Sequence, residues 1–306
     1  MTSMEHPKIS VIIVNFNCAK SIIDCLDSLM KTGYPNFKII IVDNASRSDD
    51  FNELLKIEKF VKILKNNVNL GYAIANNIGI KYAIENYTPD FILILNPDTI
   101  VSPNFITSLY NALTSDEKNG IAAPIQCYLD QRDLIYSAGG LIFWYLGQHF
   151  MIWNRTPLKR FKNIPYKVHF VSGACMLIKC AILNKVQFPE EYFLQWEDVD
   201  FCTQVRQIGY DIVIVPSSII WHKIGLTIRI EDRKYSMIYR GIKNRFIFFL
   251  KYTPTLPKKT LWVFCFCSIT FPIYFYYYAF IIRDKTYLKA LLNGMNSGLK
   301  YFIKTI

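Results

Sequence analysis

The chain has 306 residues, enough for one large domain with an appendage or for two domains. Its net charge of +11 is uneven: residues 223–306 hold 15 Lys and Arg against three Asp and Glu, while the first 222 residues are near neutral. A basic tail on a neutral body predicts an anionic partner, nucleic acid or a membrane surface, and eight scattered cysteines without a CxxC pair exclude that zinc motif and suit reduced thiols. In chain order, Lys8–Asn15 reads as a buried strand rich in Ile and Val. Its apolar run Ile9–Val14 is too short for the core of a secretory signal. Ala19–Lys31 places Ile22, Ile23, Leu26, Leu29 and Met30 at helical spacing, and Gly33-Tyr34-Pro35 closes that helix. Phe37–Val42 is a second apolar strand that runs into Asp43-Asn44-Ala45-Ser46. Val61–Leu64 is a third, followed by the polar stretch Asn66–Gly71 and a helix over Ala73–Ile84.

Five bulky apolar residues, Phe91–Leu95, then suit a strand buried on both faces. Asn96-Pro97 stops it, because Pro97 has no N–H for the ladder, and Asp98 is presented at the strand's carboxyl end. Ser102-Pro103 predicts the next helix, with Ser102 as N-cap and proline at its first position. Strand and helix alternating with short connections predict an α/β fold with a doubly wound, mostly parallel sheet flanked by helices. In such a sheet the polar residues at strand ends converge on one edge, where ligands bind. Asp43, Asn69 and Asp98 each follow a different strand, so a cleft is predicted between them.

The second half is less regular. Ile121–Cys127 and Leu134–Ile142 read as strands, the latter bent at Ser137-Ala138-Gly139-Gly140, and Arg155–Lys167 reads as a mobile basic loop. His169–Ile178 is strand-like, and Gly173-Ala174 within it lets a backbone or ligand approach closely. Five carboxylates stand between Glu190 and Asp200 among Tyr192, Phe193 and Trp196, ahead of a helical pattern over Phe201–Ile208. Acidic residues favour a helix N-terminus, while carboxylates beside aromatic rings also suit a sugar or a tuned acid–base group. Ile212–Val215 is the last strand, and the apolar run Ile219–Trp221 ends in His222, which suits either a structural or a ligating role.

Leu261–Ile282 then runs 22 residues without a charge, ten of them aromatic, between Lys258-Lys259 and Arg283/Lys285. That length crosses a bilayer as a helix, while Pro272 and Tyr276–Tyr278 weaken a simple span, and positive charge at both ends gives no inside–outside bias, so a span and a shallow or re-entrant hairpin both stay open. The run makes a membrane surface, and no nucleic acid, the expected partner. Residues 1–222 are expected to form one domain and 223–306 a basic helical region with membrane-associated segment 261–282.

Taken together, the chain resembles the family 2 glycosyltransferases of GT-A fold, especially their rhamnosyltransferase-like branch. The matching residues are Val14-Asn15-Phe16-Asn17, Val42–Ser46, Asn69-x-Gly71-Tyr72-x-x-Ala75-Asn76-Asn77, Leu95–Asp98, Gly173-Ala174 and Trp196–Asp200, in family order over residues 8–222. Tyr239 with Lys243-Asn244-Arg245, and Leu292-Asn293-Gly294, extend the likeness into the tail. The resemblance implies an enzyme that moves a hexose, with rhamnose favoured, from a dTDP- or UDP-sugar to a glycan or lipid-linked acceptor. The setting it implies is cell-surface polysaccharide synthesis at the cytoplasmic face of the membrane. Asp43 would accept the N3–H of uracil or thymine. Asn69 and Gly71 would line the nucleotide, and Asn15, Asn77, Asn96, Gly173 and Trp196 fall among the donor-binding positions, Trp196 as a stacking surface for a sugar ring. Asp98 would bind a divalent metal, Mg²⁺ or Mn²⁺, with His222 as a further ligand; the imidazole suits Mn²⁺ better. Asp198 matches the catalytic base of a single inverting displacement, and Glu197 is its local competitor. Two other readings stay open: a catalytically silent membrane scaffold, and a sugar nucleotidyltransferase, which would want a Gly-rich basic loop where Asn15-Phe16-Asn17-Cys18 stands.

Overall fold

Strands made almost wholly of Ile, Val, Leu and Phe need cover on both faces, and that requirement sets the centre of the fold. The structure, a computed structural model, describes residues 6–223 and 230–305. They form two units, one from the described residues of Met1–Leu141, Met151–Phe193 and Glu197–Thr227, the other from those of Ile142–Phe150, Leu194–Trp196 and Ile228–Ile306.

The first unit begins β1 (Ile9–Asn15), α1 (Ala19–Met30), β2 (Phe37–Asp43), α2 (Ser48–Leu55), β3 (Lys62–Lys65), α3 (Tyr72–Tyr87) and β4 (Phe91–Leu95). β1 pairs in parallel with both β2 and β4, and β2 with β3. Every residue of β1 and β4 is buried. The strand continues into β5 (Thr99–Val101), α4 (Phe105–Thr114), β6 (Asn119–Tyr128) and β7 (Ile135–Ser137). β8 (Gly140–Phe143) and β9 (Gln148–Met151) form a hairpin, followed by β10 (Tyr166–Val168), β11 (Cys175–Lys179), α5 (Cys180–Leu183), α6 (Glu197–Gln207) and β12 (Asp211–His222). The main sheet runs β10-β12-β6-β11-β4-β1-β2-β3, with β5 on β12 and β7 on β6. β11 is antiparallel to both β4 and β6, so it joins the parallel half to a mixed one.

Several elements depart from the sequence expectation for identifiable reasons. α2 is an unpredicted short helix: its apolar face is only Phe51, Leu54 and Leu55, with Leu54 buried and Phe51 packed against the core. Ser102 does not cap a helix. Its hydroxyl accepts the N–H of Ile219 at 3.2 Å, and α4 begins later, after Asn104. The strand expected over Leu134–Ile142 splits at its bend into β7 and β8, and the one over His169–Ile178 shortens to β11. The basic stretch Arg155–Lys167 carries a 3₁₀ turn, Leu158–Arg160, and the start of β10. The last strand, expected over Ile212–Val215, extends through His222 as β12, with a register shift between Val215 and Ile219 where Pro216 removes a ladder donor.

The second unit consists of α7 (Ile230–Tyr252), a long helix α8 (Leu256–Ile282), α9 (Lys285–Thr305), most of the β8–β9 hairpin, and Leu194–Trp196. Its core is aromatic. Trp262 stacks on Phe249 and Phe266 with ring centroids 5.2 and 5.4 Å apart. α9 approaches α7 at Gly298, where a Cβ would run into the Phe246 ring.

Candidate active site

A run of hydrogen bonds in the first unit links the carboxyl ends of β4 and β12 to the start of α6. The Asp98 carboxylate and the His222 imidazole meet at 3.0 Å between Oδ1 and Nε2, with side chains 8% and 12% exposed. β12 and β5 bring them together, because His222 pairs with Thr99, next to Asp98. Asn96 lies alongside, its Nδ2 3.5 Å from the same His222 nitrogen. The Tyr72 hydroxyl reaches Asn96 Oδ1 at 3.0 Å and the Gly173 carbonyl at 2.7 Å, so its one proton serves two acceptors. On the other side of that glycine, the Gly173 N–H donates to Asp198 Oδ2 at 2.9 Å, and Val199 N–H donates to Oδ1 at 2.8 Å. Tyr72 and Gly173 thus tie Asn96 to Asp198, and His222 Nε2 lies within reach of both Asn96 and Asp98 but can bond only one at a time: protonated it donates to Asp98, unprotonated it accepts from Asn96.

Burial shifts two of its members. It pushes the Tyr72 hydroxyl well above the usual phenol range, with the Glu197 charge adding to the effect. It also raises the Asp198 carboxyl above the ordinary carboxylate range, against the two backbone N–H groups that favour its ionised form. Glu197 is buried at 5% exposure, whereas Asp198 keeps an exposed edge. Tyr192 donates to the fully buried Asp200 at 2.9 Å, which makes Asp200 a packing residue of α6.

A second network fixes the ends of β1 and β2. Asn15 Nδ2 lies within 2.9 Å of Asp43 Oδ1, Ser46 Oγ and Asp50 Oδ2. Both Asn15 and Asp43 have no exposed surface. Asn15 is thus a brace under the strand ends rather than a ligand-facing group. Asp43 also accepts the Ser46 N–H at 3.3 Å. Asp50 in turn accepts the N–H of Ala19 at 2.9 Å, which satisfies an orphan donor at the start of α1. Asn44 donates to Asn69 Oδ1 and Gly71 O and accepts from Asn66 Nδ2 and Leu70 N–H, so it pins the whole 66–71 loop.

Three expected donor-binding positions have other partners. Gly71 stands at φ +87°, and a Cβ there would lie 2.5 Å from the Phe193 carbonyl, so its smallness serves the Tyr72 N–H to Phe193 O bond. The Asn77 amide is fully used on the Phe188 backbone and Glu190. Trp196 is not an open stacking surface. At 3% exposure its ring packs in the second unit against His149, Phe248 and the Arg245 guanidinium. Tyr72 and Asn44, which the sequence does not single out as site residues, both hold these networks and lie inside the matching stretches beside Gly71 and Asp43. Their reach to partners tens of residues away leaves no local signal.

The donor set at Asp98 and His222 suits a divalent cation: one hard carboxylate oxygen and one imidazole. Among the described residues no third His, Cys, Asp or Glu joins them, and buried His222 Nδ1 has no hydrogen-bond partner there. A cation held by this pair would take its remaining ligands from a bound substrate or water.

A sheet whose parallel half ends in carboxylates, flanked by helices and joined by β11 to a mixed half, is the GT-A architecture of sugar-nucleotide enzymes. The family model "Glycosyl transferase family 2" matches residues 10–187. The chain belongs to that family. It is 26% identical over 204 residues to an N-acetylglucosaminyl-diphospho-decaprenol L-rhamnosyltransferase of Mycobacterium tuberculosis, covering 60% of this chain and 66% of that protein. It is 24% identical over 209 residues to the low-salt glycan biosynthesis hexosyltransferase Agl10 of Haloferax volcanii, covering 67% of this chain and 63% of the relative. The matches thus span just under two-thirds of these relatives' own lengths. Among solved structures, the mannosyltransferase PcManGT of Pyrobaculum calidifontis, in complex with GDP-Man and Mn²⁺, superimposes with a TM-score of 0.60 at 13% identity, over 98% of this chain and 88% of that one.

Proposed function

We propose that the chain is an inverting glycosyltransferase that moves a sugar from a nucleoside-diphosphate sugar to a hydroxyl of a glycan or lipid-linked acceptor. Cell-surface polysaccharide synthesis at the cytoplasmic face of a membrane is the setting. The observation that carries this reading is the convergence of the two candidates on Asn96: the Tyr72 and Gly173 bonds tie it to Asp198, and the same side chain stands beside the Asp98–His222 pair.

Asp198, with its exposed edge and raised proton affinity, takes the proton of the acceptor hydroxyl as that oxygen attacks the anomeric carbon. The new C–O bond forms opposite the bond to the diphosphate, which breaks, and the nucleoside diphosphate leaves with the electron pair. Buried Glu197 is the weaker candidate for this role. Asp98 and His222 would hold Mg²⁺ or Mn²⁺, which when bound supplies positive charge against the departing diphosphate. Asp43 accepts the N3–H of a uracil or thymine with a free lone pair, which requires local movement, because its side chain has no exposed surface. A dTDP- or UDP-sugar follows from that role. Rhamnose is favoured by the named activity of the mycobacterial relative.

A thermal-shift panel on the full chain tests the reading, with dTDP, UDP, GDP and ADP, each with Mn²⁺ or chelator. A metal-dependent shift with dTDP or UDP that disappears in Asp98→Ala is the expected result. No shift with any nucleotide, from a folded sample, overturns it in favour of a silent scaffold.

A further inference from the structure

α8 is apolar enough to cross a bilayer: 27 residues from Leu256 to Ile282 with a mean hydropathy of 1.5 in its most apolar window. Its two sides are unlike. Four-residue steps put Trp262, Phe266, Thr270 and Tyr274 in one row against the rest of their own unit. Thr270 donates its hydroxyl to the Leu146 carbonyl at 3.1 Å. Tyr274 donates to Gln148 Oε1 at 3.1 Å and accepts from Arg245 Nη2 at 3.4 Å. The stretches Phe266–Thr270 and Tyr277–Ile282 are π-helical, and their extra residue per turn stretches the period from 3.6 toward four, which keeps this row in line. The other side, including Phe264, Ile273, Tyr276 and Phe280, is more than half exposed and carries no charge.

A spanning helix would take that bonded row to the middle of the hydrocarbon. Thr270 lies halfway along α8, and it is tied to the irregular backbone of the β8–β9 turn, beside Gln148 and a guanidinium. Irregular backbone and arginine at that depth are strongly disfavoured. Both ends of α8 also carry cations, Lys258-Lys259 and Arg283/Lys285, which suits two ends at one headgroup layer. We infer that α8 lies in the plane of a membrane interface, its charge-free side among the acyl chains and its Trp262–Tyr274 row on the protein. The occupant is a lipid surface with anionic headgroups, matched by the 15 Lys and Arg against three Asp and Glu of residues 223–306. The inference rests on the proposed function only in that a lipid-linked acceptor gives this seating a purpose.

Two measurements on the full chain test it without sugar chemistry. In vesicle flotation, the chain binds phosphatidylcholine vesicles containing 30% phosphatidylglycerol, weakens at least tenfold on pure phosphatidylcholine, and is lost in Phe264→Glu/Ile273→Glu, whose fold is checked by circular dichroism. Chains carrying Lys259→Cys or Lys285→Cys are then labelled on sealed vesicles with an impermeant maleimide, against the unsubstituted chain as background. Both labels are expected in full from outside. One site protected until the vesicles are opened means a spanning helix and overturns the inference. So does absence of vesicle binding, or a double variant that changes only the monomer–dimer ratio, which assigns the face to a second copy. Nucleotide shifts can fail while flotation succeeds, so the two readings fall separately.

Discussion

Removing the Tyr72 hydroxyl is the sharpest test of the bond chain. Tyr72→Phe keeps the ring and deletes one proton shared between Gly173 O at 2.7 Å and Asn96 Oδ1 at 3.0 Å. A lost hydrogen bond costs about 1 kcal/mol net, and the buried Gly173 carbonyl left without a donor raises this to about 2 kcal/mol. For a domain of this size that lowers the melting temperature by roughly 4–8 °C. The functional effect travels through one residue, Gly173, whose carbonyl and N–H belong to adjacent peptide groups. The same glycine whose carbonyl loses Tyr72 offers its N–H to Asp198 Oδ2, one of the bonds that hold the Asp198 carboxyl down against burial. Slackening that bond raises the Asp198 pKa further. A base must be ionised to work, so the acid limb of the pH–rate profile moves to higher pH. A loss of about 1.4 kcal/mol in positioning is about tenfold in kcat. The assay is release of nucleoside diphosphate from the donor found by the thermal panel, across pH 4.5–8. Donor KM should change less than threefold. A kcat within twofold of the parent together with an unmoved acid limb would refute the coupling, and leave Tyr72 as packing.

Other outcomes follow from the same geometry. Asp198→Asn abolishes transfer and leaves nucleotide shifts intact. Because burial raises the native Asp198 pKa, its ionisation costs stability that is absent at low pH and grows as pH rises through the native pKa, so the mutant-minus-parent melting temperature increases from pH 4 to 7. His222→Ala removes one of two candidate cation donors and should cut the metal-dependent part of the nucleotide shift, read by titrating Mn²⁺, by at least tenfold in apparent affinity. Gly71→Ala forces a Cβ to 2.5 Å from the Phe193 carbonyl at φ +87° and should cost more than about 2 kcal/mol by urea unfolding. Asn244→Ala deletes bonds to the Leu194 and Gln195 carbonyls at 3.1 and 2.8 Å and should destabilise by about 2 kcal/mol in the same assay.

What the sequence made legible is what depends on short-range pattern. Unbroken Ile/Val/Leu runs place β1, β2 and β4, and the polar residues that stop them place Asp43 and Asp98 at strand ends. That pattern carries no information on which way a polar side chain is spent. Asn15 and Asn77 both looked ligand-facing. One is consumed beneath the β1–β2 ends by Asp43, Ser46 and Asp50, the other by Phe188, 111 positions away. α2 is hard to read because its apolar face is only three residues, Phe51, Leu54 and Leu55. Phe51 and Leu54 seat it on the core, and it presents Asp50 to the N-terminus of α1 and to Asn15.

The least legible stretch is also the most consequential. Between Phe193 and Glu197 the chain leaves the first unit for three residues, Leu194–Trp196, and returns. Gln195 and Trp196 both take left-handed backbone angles, φ +71° and +76°, unusual for side chains of this size. The turn sends the Trp196 ring into the aromatic cluster around Phe248 and Arg245, and Asn244 holds the carbonyls of the two preceding residues. Composition alone reads acidic residues beside aromatic ones as a sugar site. The backbone instead divides them. Trp196 anchors the second unit, while Asp198, two residues on, opens α6 with its carboxylate on the Gly173 N–H. The strain of two positive φ angles is thus located where the candidate base is set, as expected of backbone geometry that the surrounding contacts must hold in place.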